Sequence, residues 1–249
     1  MNMSKLFLVV VVLFFIYMNS VLAKESTLEQ QDLDNFKKIE AQAKLGETDS
    51  QIKYFETVIS HPKQLGQFAQ QAYEFLLSAG NKGHLEANFL LGYLYVNGIW
   101  IKKDLNVGLF FLQKSSDKGL DKAQFLMGIT YLELSYLSKD TELEDAYRKQ
   151  SIIWLKKAHK KGHVEATAYL GTVLTYKENT RNKGLSLLKA AISKDSSYAM
   201  FSLGLHYKIL WDHGRNDIDF QKATKWLSKA ASLGDEDASE MLATLKTKD

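Results

Sequence analysis

The sequence predicts an all-α solenoid of stacked helix pairs. Two sets of columns recur along the chain at helical spacings, and 249 residues contain a single proline, so long helices run uninterrupted.

The first set is anchored on Ala87, Ala123, Ala166, Ala199 and Ala238, spaced by 36, 43, 33 and 39 residues. Four residues after each stands Leu91, Met127, Leu170, Leu203 or Leu242, and five after stands Gly92, Gly128, Gly171, Gly204 or Ala243. Eight after the first four come Tyr95, Tyr131, Leu174 and Tyr207, and four before each alanine stand Gly83, Gly119, Gly162, Asp195 and Gly234. The second set opens on the small residues Ala72, Gly108, Ser151, Gly184 and Ala223. Large residues follow three later (Phe75, Phe111, Trp154, Leu187, Trp226), then an unbroken leucine column (Leu76, Leu112, Leu155, Leu188, Leu227) and a small column at plus seven. Offsets of 3, 4 and 7 share one helical face. Each unit is therefore a helix A carrying the alanine-glycine columns and a helix B carrying the aromatic-leucine columns. Small residues let two backbones approach, and the large residue of one helix fills the space left by the other. No single pair buries its stripe alone, so neighbours stack.

From the N-terminus, the elements follow in order. Lys5 and the 13-residue apolar run Leu6 to Met18, then Val21-Leu22-Ala23, have the order of a secretory signal peptide over residues 1–23. Thirteen residues rise about 20 Å as a helix, short of a membrane span. Cleavage after Ala23 would remove one charged residue, Lys5, and leave 31 cations against 29 anions, and the expected location is periplasmic or secreted. Residues 24–67 read as a degenerate helical capping unit: Ala43, Leu45 and Gly46 resemble the end of a helix B, Tyr54 to Ile59 a helix A, and Pro62 interrupts. Residues 68–249 hold the repeats, about four plus a C-terminal capping helix. The glycine after helix B is expected as a left-handed cap. Asp104, Thr180 and Asp219 are expected to cap the start of helix B. Length variation is placed between A and B, with Ser135 to Glu144 the longest loop.

These columns resemble Sel1-like repeats, relatives of the tetratricopeptide repeat with a longer and more variable unit. The last full unit shows the pattern most completely, from Ala199, Leu203, Gly204 and Tyr207 through Asp219, Lys222, Ala223, Trp226 and Leu227 to Ala230, Ala231 and Gly234. The resemblance implies a right-handed α-α superhelical solenoid that works as a non-catalytic adaptor or regulator by binding another protein. Leu174 for tyrosine, Asp195 for glycine, and Gly108 and Gly184 for alanine depart from the pattern and are expected to weaken single units.

Composition narrows the chemistry. With 45% hydrophobic and 24% charged residues the chain is of globular type, and 32 cations against 29 anions give no global attraction to nucleic acid. Without cysteine there is no disulfide, thiolate metal site or cysteine nucleophile. His159 and His163 stand four apart, a metal-ligand spacing, but Gly162 falls between them at the helix end, so a solvated pair is expected. Ser-x-x-Lys occurs at Ser50, Ser60, Ser115 and Ser186; 19 serines and 29 lysines give about two such matches by chance, and no Lys-Thr-Gly partner exists. A β-lactam- or cell-wall-acting hydrolase is therefore the weakest alternative. Lys156, Lys157, Lys160 and Lys161 are read as cations opposing a helix C-terminal dipole. No cofactor or metal is expected.

At about 100° per residue, the helix A positions at plus three, six and ten lie opposite the packing columns. They read Leu90, Tyr93 and Asn97; Leu126, Ile129 and Glu133; Tyr169, Thr172 and Tyr176; Ser202, Leu205 and Ile209. Part of that apolar excess is solenoid packing, and the remainder forms a candidate concave protein-binding face: Leu90, Tyr93, Asn97, Leu126, Ile129, Tyr169, Thr172, Tyr176, Leu205 and Ile209. Trp100 and Trp211 are further candidates for edge contacts. The expected partner is another protein, a secreted effector or an envelope component, with membrane contact only through an uncleaved leader. An immunity protein that neutralises a periplasm-acting toxin, such as a lipase effector, is an alternative within the same class.

Overall fold

The computed structural model describes residues 30–214 and 216–246, all of whose regular elements are helical. The leader expected over 1–23 lies outside the described residues, and no described helix is long and apolar enough to cross a membrane. The helices are α1 (Gln30–Lys44), α2 (Thr48–Ser60), α3 (Pro62–Leu65), α4 (Ala69–Asn81), α5 (Leu85–Asn97), α6 (Leu105–Asp117), α7 (Asp121–Leu137), α8 (Thr141–Lys160), α9 (Val164–Thr175), α10 (Arg181–Ile192), α11 (Ser197–Gly214), α12 (Asp217–Ser232) and α13 (Glu236–Lys246). They fall into two compact units that divide between Thr130 and Tyr131.

In the first unit α2 packs on α4 and α5 on α6. Its core gathers Phe55, Leu76, Leu91 and Phe111 around the fully buried alanines Ala72, Ala79 and Ala87. The close approach at the glycine columns is visible at Gly92, where an added Cβ would stand 2.5 Å from Leu112 Cγ. In the second unit α9 packs on α8, α10 and α11, and α11 packs on α12. Its last core cluster joins Phe201, Leu227, Ala230 and Met241.

The caps follow the repeat. Gly83, Gly119, Gly162 and Gly234 have φ of 84°, 89°, 85° and 87°, and Asp195, which replaces glycine, is held at 60° in the same region. Asp104 caps α6 as expected, accepting from the Asn106 and Val107 amides at 3.0 Å. Two expected caps are corrected. Thr180 makes no cap bond; its hydroxyl donates to Leu174 O at 2.7 Å and closes the preceding turn. At α12 the cap is Asn216, which accepts from the Ile218 amide at 2.8 Å, and this puts Asp219 inside the first turn. The expected long loop Ser135 to Glu144 is also absent. Asp140 caps α8 at 2.8 and 3.1 Å, so the extra residues lengthen α7 and α8 into helices of 17 and 20 residues.

A sixth copy of the helix A pattern lies on α2. Gly46 has φ 87°, and Ser50, Tyr54 and Val58 stand at the anchor, plus-four and plus-eight positions, all buried. Because α2 packs on α4, this pair continues through residue 67. Another column was not apparent in the sequence. The residue after the anchor carries an amide whose nitrogen donates to a carbonyl eight residues back: Gln51 to Ala43 O (3.2 Å), Asn88 to Gly80 O (3.0 Å) and Gln124 to Ser116 O (3.0 Å). These bonds add a second donor to a carbonyl at the end of helix B that also accepts, at 3.0 Å, from the amide of the cap glycine three residues on (Gly46, Gly83 or Gly119), and so tie helix A to the end of the helix before it. At Thr167 a hydroxyl takes the place of the amide and meets His159 Nδ1 at 2.8 Å.

Candidate protein-binding face

The stripe of helix A opposite the packing columns gains one further position, the residue before each anchor, which points the same way at about 100° per residue. In the first unit this position holds Glu86 on α5 and Lys122 on α7, and the two form an ion pair across adjacent repeats. The Lys122 ammonium also lies 4.6 Å from the Phe89 ring centroid. Burial and the nearby Glu86 carboxylate together push the Glu56 carboxyl above the usual carboxylate range, partly offset by Lys122 and Lys53. Of the expected face residues here, Tyr93, Leu126 and Ile129 are buried, and burial raises the Tyr93 hydroxyl pKa. Leu90 and Asn97 are half-buried, and the Asn97 amide turns back onto Tyr93 O at 2.9 Å.

The second unit concentrates aromatic rings and hydroxyls on the same stripe. Tyr169 and Tyr198 stack with centroids 3.9 Å apart and planes inclined by 8°. Thr172 donates to Ser202 Oγ at 2.9 Å, and the Tyr198 hydroxyl shares hydrogen bonds with both. Tyr136 and Tyr176 are hydrogen-bonded to one another. Burial raises the hydroxyl pKa of Tyr136, Tyr169 and Tyr198, so all three stay neutral and able to donate. Tyr169 is buried, Thr172 and Leu205 are half-buried, and Tyr176 and Ile209 are exposed. Leu137, Tyr176 and Ile209 are 63%, 54% and 43% exposed and lie towards the C-terminal ends of three successive A helices, Tyr176 and Ile209 at the same plus-ten position.

At the opposite end of these helices lie two carboxyls. Ser196, the residue preceding α11, donates to Glu165 Oε2 at 3.2 Å. Asp235 is 1% exposed and accepts from the Ala238 amide at 2.9 Å through Oδ1. Burial is the largest cause lifting both carboxyls above the usual range, and the Asp235 charge lifts Glu165 further. Protonation is therefore easier in the folded chain than in the unfolded one. The stability this supplies is full below the unfolded carboxyl pKa and is lost as pH rises through the raised folded value. Glu165→Gln, which can still accept from Ser196, is expected to melt above the parent at pH 7.5, with the gap closing towards pH 4. Equal melting temperatures at both pH values would contradict this.

The other candidates resolve into structure. His159 is bound to Thr167, and His163 caps α9 by accepting from the Ala166 amide at 3.2 Å, so the two rings serve separate helix ends. Among the described residues no group of three metal-ligating side chains converges. Lys157 lies 3.6 Å over the Trp154 ring centroid in the last turns of α8. Ser115 is fully buried in the packing column. Trp100 is half-exposed with φ 62° and packs edge-on to Phe55 at 5.9 Å, while Trp211 leans on Phe220 at 5.1 Å. Tyr136, Tyr198 and Glu165 belong to the face but escaped the sequence reading. Tyr136 fell in the supposed loop, and the other two occupy the position before the anchor, whose direction the wheel gives.

The fold and these columns define an all-α protein of repeated helix pairs. The family concerned is the Sel1 repeat, which matches residues 85–120, 121–163 and 197–235. The chain is a Sel1-like repeat protein. The segment between the last two matches holds α9 and α10, which pack as the same pair despite Leu174, Gly184 and Asp195. The chain is similar to a protective antigen of uropathogenic Escherichia coli strains displaying an SLR fold (TM-score 0.65, 23% identity, 84% of this chain and 43% of that one). It is also similar to a Sel1 repeat protein from Oxalobacter formigenes (TM-score 0.59, 20% identity, 80% and 79% covered). These likenesses show the fold, the α-α solenoid of Sel1-like repeats. Over 104 residues, 41% of this chain, it is 33% identical to the mouse DAP3-binding cell death enhancer 1, of whose length it spans 20%.

Proposed function

We propose that this chain acts outside the cytoplasm, in the periplasm or as a secreted protein, and binds a protein partner as a non-catalytic adaptor or regulator. The observation that carries the reading is the exposure of Leu137, Tyr176 and Ile209 on helices that also carry neutral tyrosine hydroxyls. Amphipathic aromatic side chains held by packed helices bury large contact area at low entropic cost, which is what a protein-binding surface requires. The sequence of the first 23 residues supports the location. The mechanism is occupation: the partner's apolar side chains cover these residues, and hydroxyls fix its register.

The test uses residues 24–249 as bait in an envelope extract, beside the double variant Tyr176→Ala, Ile209→Ala. The parent should recover a reproducible partner, and the variant should lose at least tenfold of it while keeping the parent's melting temperature. A parent that recovers nothing above the blank resin, or a variant that recovers as much as the parent, overturns the reading.

A further inference from the structure

The position before the helix A anchor is filled differently in the two units. In the first, the Glu86 carboxylate is neutralised by Lys122, which holds the same position one repeat on. In the second, Glu165 stands where Glu86 does, but the next repeat offers Tyr198 instead of a lysine. Glu165 receives the Ser196 hydroxyl and pairs with no lysine or arginine among the described residues. Asp235 adds a second carboxyl, which accepts the Ala238 amide at the start of α13 but is paired with no lysine or arginine among the described residues. It is 1% exposed, its Oδ2 has no hydrogen-bond partner among the described residues, and it is near enough to act on both Glu165 and Tyr169. Two carboxyls withdrawn from water without a countercharge are costly, and a cation at the half-buried Glu165 relieves that cost. The chain as a whole carries an excess of positive charge, so this acidic spot is local and not a consequence of composition.

We propose that Glu165 anchors a lysine or arginine side chain of the bound protein segment, beside the stacked Tyr169 and Tyr198 and in the field of Asp235. The partner thus supplies the cation that Lys122 supplies within the first unit. Arginine fits best, because its planar guanidinium makes paired charge-assisted hydrogen bonds with a carboxylate. This rests on the protein-binding reading above and names what the partner must carry.

The experiment titrates the chain, with ¹³C-labelled tyrosine rings, against acetyl-Gly-Arg-Gly-amide, the same peptide with lysine, and the same peptide with the neutral isostere citrulline. At pH 7.5 the arginine peptide should shift the Tyr169 and Tyr198 ring signals saturably. Citrulline should bind at least tenfold more weakly, and Glu165→Gln should lose at least tenfold in affinity for arginine with its melting transition intact. Absence of a saturable shift, equal binding of citrulline, or undiminished binding by Glu165→Gln overturns the proposal. So does a Glu165→Gln bait that captures the envelope partner as well as the parent. In that last case the partner reading survives if the Tyr176→Ala, Ile209→Ala bait still fails.

Discussion

Leu155→Asp should abolish the cooperative melting of the second unit or lower its stability by more than about 4 kcal/mol. Leu155 is fully buried, in the leucine column of α8, which packs on α9. The substitution removes an apolar side chain from the core and forces either an ionised carboxylate or a protonated, unbonded acid into its place. Both costs are large against a total stability of about 5–15 kcal/mol. In a repeat array each pair is held by its neighbours, so the loss spreads to α9 and α10. Circular dichroism at 222 nm during heating reads the effect directly. Lys156→Asp, one residue along on the exposed side of α8, is the control and should shift the transition little. If Leu155→Asp melted with the parent, the column alignment that defines helix B would be wrong.

The helix pairs were legible because close packing imposes one requirement at the same offset in each unit. A leucine held at one position five times over has no other simple cause. What escaped were features with no apolar signature. The amide column of Gln51, Asn88 and Gln124 is polar and varies in length, so its role emerges only when each nitrogen is seen on a carbonyl of the preceding helix. The copy on α2 was legible only as a helix A from Tyr54 to Ile59 within a degenerate unit, because Phe55 fills the position that glycine holds in four of the other copies. Ser135 to Glu144 reads as a loop because the 43-residue spacing from Ala123 to Ala166 leaves extra residues between A and B, yet extra residues are equally compatible with a longer α7 and with Asp140 capping a longer α8.

The candidate face was half legible for a different reason. A helical wheel gives the direction of a side chain about its own axis, and burial depends on what the neighbouring helix places there. Tyr169 and Tyr176 share a stripe, but Tyr169 is covered by the Tyr198 ring while Tyr176, beyond the last turn of α9, is exposed. The same reasoning explains why Tyr93, Leu126 and Ile129 became core and Ile209 remained open. The exposed end of the stripe, not its middle, is where the surface meets solvent.

Gly184→Ala should destabilise the second unit by about 2–3 kcal/mol, although glycine to alanine within a helix ordinarily stabilises by about 1 kcal/mol. In the sequence Gly184 looked like a weakened copy of the alanine column. The structure reverses that judgement. A Cβ on Gly184 would stand 2.6 Å from Gly171 O and 2.8 Å from Thr175 N, and these are backbone atoms of α9 that no rotamer change can move aside. Gly171 faces it in return, with its own added Cβ 3.0 Å from Gly184 O. The two glycines thus set a closer approach of α9 and α10 than an alanine would permit. This explains why the unit keeps its pairing despite its sequence departures. Gly214→Ala, where an added Cβ meets no atom within 4 Å, should leave the urea midpoint unchanged or slightly raised. Were Gly184→Ala to raise the midpoint as well, glycine at this column would be a tolerated defect rather than the cause of the close packing.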